Sequence, residues 1–252
     1  MNAAVRELGL ALTAVMFLTR LPVPAIGAHS DQRLRRSARY FSLVGAGVGA
    51  LAAVAVLLLG RVLPPPLCVV LSMSLTLLVT GAFHEDGFAD VCDAFGGGRD
   101  REDILRIMED SRIGAFGAIG IAMMLGTKFL ALCALPFALL PAMLIAGHAL
   151  SRAFAVLVMA LGTYARKEGG KTRPVAAGVP WTDALVALAL GAPPLYWLPA
   201  PAALAVPAAL LACALLYGYF RARLGGYTGD CLGAIQQVCE AVFYLSAVAL
   251  FA

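Results

Sequence analysis

The chain has 252 residues, 61% of them hydrophobic and 13% charged, with a mean hydropathy of +0.86 and a formal net charge of +4. Soluble domains average about half apolar and a quarter charged, so this composition excludes an ordinary globular enzyme. It describes an all-α, polytopic membrane protein, and nothing in residues 1–252 marks a boundary between two domains.

The first apolar stretch, residues 8–19, is too short to cross a bilayer alone. Arg20 and Pro22 follow it where a cleaved signal peptide would carry small residues, so an interfacial or re-entrant segment is expected. Seven spans are predicted after it: residues 41–59, 67–83, 113–135, 137–161, 184–198, 202–220 and 233–251. The fifth is short and carries Pro193-Pro194, which predicts a break or a tilt.

The basic residues order these spans. Of the 19 Lys and Arg, 16 fall before residue 41 or in the loops around residues 99–112, 166–173 and 221–223. The opposite loops carry only Arg61, while Lys128 and Arg152 lie within spans. By the positive-inside rule the basic loops and the amino terminus face the cytoplasm, and seven spans put the carboxyl terminus outside. The six cysteines make no metal or disulfide spacing and read as reduced core residues.

Chemistry is concentrated after the second span. Residues 67–83 contain no charge, and then His84-Glu85-Asp86-Gly87-Phe88-Ala89-Asp90-Val91-Cys92-Asp93 brings four carboxylates. Asp86, Asp90 and Asp93 stand at i, i+4 and i+7, so a helix puts them on one face, where they repel unless a cation sits between them. Mg²⁺ suits such oxygen ligands, and carboxylates holding Mg²⁺ at a membrane edge point to a phosphate-bearing substrate. The competing readings are a solvated helix end and an ion path, although ion-path acids belong nearer mid-span. Gly96-Gly97-Gly98 should end the acidic helix, and residues 99–112 should form a short surface helix.

Further on, Asp110 or Ser111 is an expected N-cap for the third span, which leaves Arg112 as a phosphate ligand. Lys128 either snorkels or faces the interior, and Arg152, one turn after His148, is mid-span and harder to place in lipid. The loop Lys171-Thr172-Arg173-Pro174 either sets topology or touches substrate. The run Arg221 to Asp230 contains Gly225, Gly226 and Gly229. It reads equally as a turn and as an anion site, with Asp230 returning to the face of Asp86.

These motifs resemble the cobalamin synthase family. The resemblance rests on Gly81, His84, Glu85, Asp86, Gly87, Ala89, Asp90 and Asp93, then Gly96-Gly97-Gly98-Arg99, in that order. It continues through Met108, Asp110, Ser111, Arg112, Ile113, Gly114, Phe116 and Gly117 to Gly225, Gly226, Thr228, Gly229, Asp230, Leu232, Gly233 and Ala234. His148, Ser151 and Arg152, and the early run Phe17 to Pro24, are similar to the family as well.

The resemblance implies a late step of vitamin B12 synthesis in the bacterial cytoplasmic membrane, with the active site on the cytoplasmic face. Adenosylcobinamide-GDP and α-ribazole, or its 5′-phosphate, give adenosylcobalamin, or its 5′-phosphate, and GMP, with Mg²⁺ as cofactor. On that basis Glu85, Asp86, Asp90, Asp93 and Asp230 are the expected metal ligands, and Asp86, Asp90 and His84 the catalytic groups. Arg99, Asp110, Ser111, Arg112, Lys128, Arg152, Gly226 and Thr228 are the expected substrate contacts. The partners are these small molecules and the lipid bilayer; a homo-oligomer is compatible with the chain, and nothing suggests nucleic acid.

Three other classes are weighed against this one. A CDP-alcohol phosphotransferase needs an arginine where Asp90 stands. A membrane prenyltransferase usually carries two Asp-rich boxes, and one is found here. A cation-coupled transporter needs mid-span acids where this chain has Lys128 and Arg152.

Overall fold

The computed structural model describes residues 3–26, 30–166 and 178–251, which excludes the 171–174 loop. Among the described residues the chain is helical without strands. The helices are α1 (Ala3–Leu18), α2 (Asp31–Ser37), α3 (Phe41–Leu59), α4 (Pro65–Thr80), α5 (Phe83–Gly97) and α6 (Arg101–Ile107). They continue with α7 (Ala115–Ala134), α8 (Leu140–Leu161), α9 (Trp181–Gly191), α10 (Ala200–Ala203), α11 (Ala205–Leu224) and α12 (Gly229–Phe251).

The seven expected spans are not all single long helices. Among the described residues five helical stretches are long and apolar enough to cross a membrane: Asp31–Leu59, Ala115–Ala134, Phe137–Leu161, Ala205–Leu224 and Gly229–Phe251. A sixth exists if α4 and α5 count as one span, but they meet at 90°. The predicted span at 184–198 is not one helix. α9 stops at Gly191, which packs beside Ala149 and Ala153 halfway along α8, and a 3-10 turn at Pro193–Trp197 follows. Two consecutive prolines remove two backbone donors, so an α-helix cannot run through them.

The antiparallel order nevertheless places all the loops. α8 is almost wholly buried, and α3 lies against it with Gly45 at the His148 carbonyl, Gly49 at Leu144 and Gly60 at Phe137. At the far end of α8, residues 163–165 pair with the turn before α12: the Tyr227 amide donates to the Thr163 carbonyl at 3.0 Å, and the Ala165 amide to the Tyr227 carbonyl at 2.8 Å. One end of the bundle therefore gathers the starts of α3, α5, α7 and α12 with the ends of α8 and α11. The chain from 178 to 204 returns to the opposite end in pieces.

α1 is longer than predicted, yet it falls short of a span. Ala14 and Leu18 seat it in the core. The six cysteines are free, as expected.

Candidate active site

The acidic helix does not continue straight out of α4. Gly81 and Ala82 both adopt left-handed backbone (φ 68° and 56°), and these two residues turn the chain through the right angle. Such a conformation is costly for alanine and free for glycine. α5 is thereby laid across the end of the bundle, against the first turns of α12.

The contact between α5 and α12 depends on small residues. A Cβ on Gly87 would stand 3.0 Å from Asp230 Cα, and one on Gly233 would stand 3.0 Å from the His84 carbonyl oxygen. With this close approach Asp86 and Asp90 share their surroundings with Asp230. The Asp90 carboxyl, half-buried and outside the five spans, is pushed up to about 7. Burial contributes most, followed by the charges of Asp230, Asp86 and Asp93, and only Arg166 opposes them.

Arg166 is the residue that sequence reasoning passed over as a topology charge. Its guanidinium lies 3.2 Å from Asp230 and is largely buried, with Glu109 at 3.9 Å. Arg101 holds the neighbouring loop by donating to the Leu224 carbonyl at 2.9 Å and the Ala165 carbonyl at 2.7 Å.

Other expected site residues have protein partners. Asp93 caps α7, accepting from the Gly114 amide at 2.7 Å and the Gly117 amide at 2.8 Å. The expected caps do not serve: Asp110 accepts from the Arg112 guanidinium at 2.7 to 3.2 Å, and Ser111 is exposed. Arg99 is exposed too, and its carbonyl accepts from Arg223 at 3.4 Å. Gly226 is tight against the Thr163 carbonyl, so its lack of a side chain serves the backbone pairing with 163–165. Thr228 caps the start of α12 by accepting from the Cys231 amide at 3.2 Å.

Glu85 and Lys128 stand away from the aspartates, in a buried polar network. Lys128 donates to Gln237 at 2.7 Å and to Glu240 at 3.0 Å. Gln237 in turn donates to Glu85 at 2.8 Å, and Gln236 to Glu240 at 2.6 Å. The prediction that Lys128 snorkels or faces inward resolves as inward, at 4% exposure. Two polar residues of this network, Gln236 and Gln237, were invisible as site residues because glutamine in a span carries no charge to flag it.

Arg152 is the exception. It donates to the His148 carbonyl at 3.0 Å and meets His148 Nδ1 at 3.2 Å, while its Nε has no partner. Glu240 instead pairs with Lys128 and accepts from Gln236. Arg152 shares a cavity with His84, Phe41, Met159 and Gly229. His84 therefore faces Arg152 and not the aspartate stripe, as its position round the helix predicts.

The match to a family model covers residues 10–248 and carries the description cobalamin-5-phosphate synthase. The chain belongs to this family. Curated relatives agree with the cobalamin-5-phosphate synthase assignment. A protein of Ralstonia pickettii named adenosylcobinamide-GDP ribazoletransferase is 51% identical over 243 residues, which is 94% of each chain. Proteins of the same name from Ralstonia nicotianae and Shewanella frigidimarina are 49% and 41% identical, covering 95% and 97% of this chain and 95% and 96% of theirs. No solved structure matches the chain.

The donors of the acidic cluster can be judged directly against the Mg²⁺ that the sequence led us to expect. All are hard carboxylate oxygens, and the mutual repulsion at Asp90 is what a bound cation would relieve. Among the described residues no group of three or more acidic, His or Cys side chains is arranged to hold a metal ion by itself. An open set fits Mg²⁺, which uses one or two carboxylates and completes its shell with water and substrate phosphate.

Proposed function

We propose that this chain transfers the cobinamide-phosphate group of adenosylcobinamide-GDP to α-ribazole or its 5′-phosphate. The products are adenosylcobalamin, or its 5′-phosphate, and GMP. The observation that carries this reading is the meeting of Asp86 and Asp90 on α5 with Asp230 on α12, beside Arg166. That is an acidic centre bordered by arginine, as a pyrophosphate substrate requires.

The ribazole 3′-hydroxyl attacks the phosphorus bonded to the cobinamide arm. A new P–O bond forms, the bond to GMP breaks, and the hydroxyl proton passes to a base. Asp86, Asp90 and Asp230 are the residues to hold Mg²⁺, which when bound offsets charge on the phosphate oxygens and on departing GMP. Asp90, through an oxygen that the metal leaves free, is placed better than His84 to receive the proton, because it stands in the acidic centre and His84 faces the Arg152 cavity. Arg166 stands ready for a phosphate oxygen once Asp230 turns to a cation. Arg152, with an unpartnered buried Nε, is set to contact the nucleotide phosphate from below. Glu85 and Lys128 act at one remove, tying α5 and α7 to α12 through Gln237 and Glu240.

The location proposed with this function is the bacterial cytoplasmic membrane, with the acidic end of the bundle on the cytoplasmic side. The reaction is tested by reconstituting the purified chain in proteoliposomes with adenosylcobinamide-GDP, Mg²⁺ and α-ribazole. GMP and cobalamin product should appear in equal amounts. GMP release that does not depend on ribazole would replace the transferase with a hydrolase.

A further inference from the structure

A second charged site lies away from the acidic centre, between α1 and α2. Arg6, Arg33, Arg36 and Arg39 line a cavity of about 340 Å³, with Glu7 as the acidic residue on its wall. Glu7 is already engaged: Tyr40 donates to it at 2.9 Å and Arg39 lies at 3.3 Å. Beneath the cavity the fully buried Asp183 pairs with Arg39, and Arg36 reaches it at 3.7 Å. After both acids are counted, four guanidinium groups leave an excess of two positive charges facing the cavity.

Two of these cations are held in place before any ligand arrives. Arg33 Nε donates to the Thr13 hydroxyl at 3.0 Å, with its guanidinium against Gly9, where a side chain would have no room. Arg39 is fixed between Glu7 and Asp183. Arg6, 3.4 Å from Glu7, and Arg36, 3.7 Å from Asp183, make only these loose pairs and remain substantially exposed, able to swing onto an anion from above.

The helix that carries Arg6 also identifies the surroundings. Val5, Leu8, Leu12 and Met16 follow each other at i, i+3, i+7 and i+11, on one stripe of α1, and Val5, Leu8 and Met16 are exposed apolar side chains. On the same helix, one position round from that stripe, sit Arg6, Gly9 and Thr13. A helix too short to span, with an exposed apolar stripe beside Arg6 and the guanidinium groups that α2 and the turn after it bring to the cavity, lies in the membrane interface. There the anion at hand in high local concentration is a lipid phosphate.

We propose that the cavity between α1 and α2 binds the phosphate headgroup of one anionic phospholipid, which docks the amino-terminal helix on the bilayer. Arg33 and Arg39 are the preset ligands and Arg6 and Arg36 the closing ones, with the acyl chains lying along the Val5–Met16 stripe. The planar fork of arginine suits a phosphate bidentately.

The test uses the full chain, purified in detergent and mixed with phosphatidylglycerol or phosphatidylcholine. Retained lipid is read by native mass spectrometry and thermal stability in parallel. The wild type should keep about one phosphatidylglycerol and be stabilised by it more than by phosphatidylcholine. Arg6→Gln with Arg36→Gln should weaken that preference roughly tenfold or more, and Arg33→Gln should do so independently. Arg61→Gln removes the same charge at the opposite end of the bundle and should change nothing. Equal retention by the wild type and both pocket variants would overturn the proposal. So would stabilisation by inorganic phosphate matching that by phosphatidylglycerol, since it would assign the cavity to a soluble anion.

Discussion

At Asp90 the structure turns a stretch of sequence into a titration. Its carboxyl, raised from 3.8 to about 7 by burial and by three like charges, stays protonated in the metal-free protein where a free aspartate has ionised. The folded state then binds more protons than the unfolded state between about pH 4 and 7, so metal-free stability should fall as pH rises through that window. Asp90→Asn should flatten this slope. Mg²⁺ must displace the same proton, so apparent Mg²⁺ affinity should climb towards pH 7 and level off above it, by at most about tenfold per pH unit. Calorimetric titration at several pH values checks the sign, and an affinity independent of pH would remove Asp90 from the ligand set. Arg152 makes the second residue-scale claim. Because Glu240 is engaged by Lys128 and Gln236, Arg152→Lys should insert normally and keep its charge, yet lose the fork that meets phosphate. Weaker binding of adenosylcobinamide-GDP and slower turnover are expected, and near-normal kinetics would make Arg152 a packing residue.

Two joints between elements set the site, and they differ in how far the sequence reveals them. The glycine at position 81, ahead of an acidic run, signals a break, but the left-handed Ala82 that completes the right angle follows no residue preference. Its conformation is imposed by packing. Helix periodicity places Asp86, Asp90 and Asp93 on one stripe correctly, and still says nothing of the α7 amides that Asp93 finds 21 and 24 residues away. Likewise the lone acid in a span, Glu240, is plain from the sequence, but which buried cation it chooses is settled only by where α7 and α8 cross α12. Arg166 and Asp230 lie 64 positions apart, beyond any local signal. Two predictions follow at this scale. Asp93→Ala should cost about 1–2 kcal/mol of stability through the lost cap, measured by thermal unfolding in detergent. Gly87→Ala should push α5 off Asp230 and lower kcat/KM tenfold or more in assembled protein, whereas Gly126→Ala, with nothing near its Cβ, should be tolerated.

For the whole molecule, hydropathy and charge bias revealed the class, the order of the loops and the gathering of motifs at one end. They gave 184–198 as one helix, because apolar composition does not report that two prolines divide it. The crossing survives in pieces, so the sidedness expectation is unchanged: single cysteines at 36, 99 and 221, in a background lacking native cysteines, should share one side, with position 61 on the other. An impermeant thiol reagent applied to intact cells reads this, and labelling of 36 and 221 from opposite sides would break the arrangement. The central claim is that carboxylates from α5 and α12 form one reaction centre. The most direct measurement of it is ribazole-dependent GMP release in proteoliposomes by Asp86→Asn, Asp90→Asn and Asp230→Asn, with Asp103→Asn, whose carboxylate pairs with Arg106 on α6, as the control. Each of the three should lose far more than tenfold, beyond about 1.4 kcal/mol in barrier, while still inserting as folded protein, and the control should stay active. Turnover within tenfold of wild type in Asp86→Asn or Asp90→Asn would contradict it.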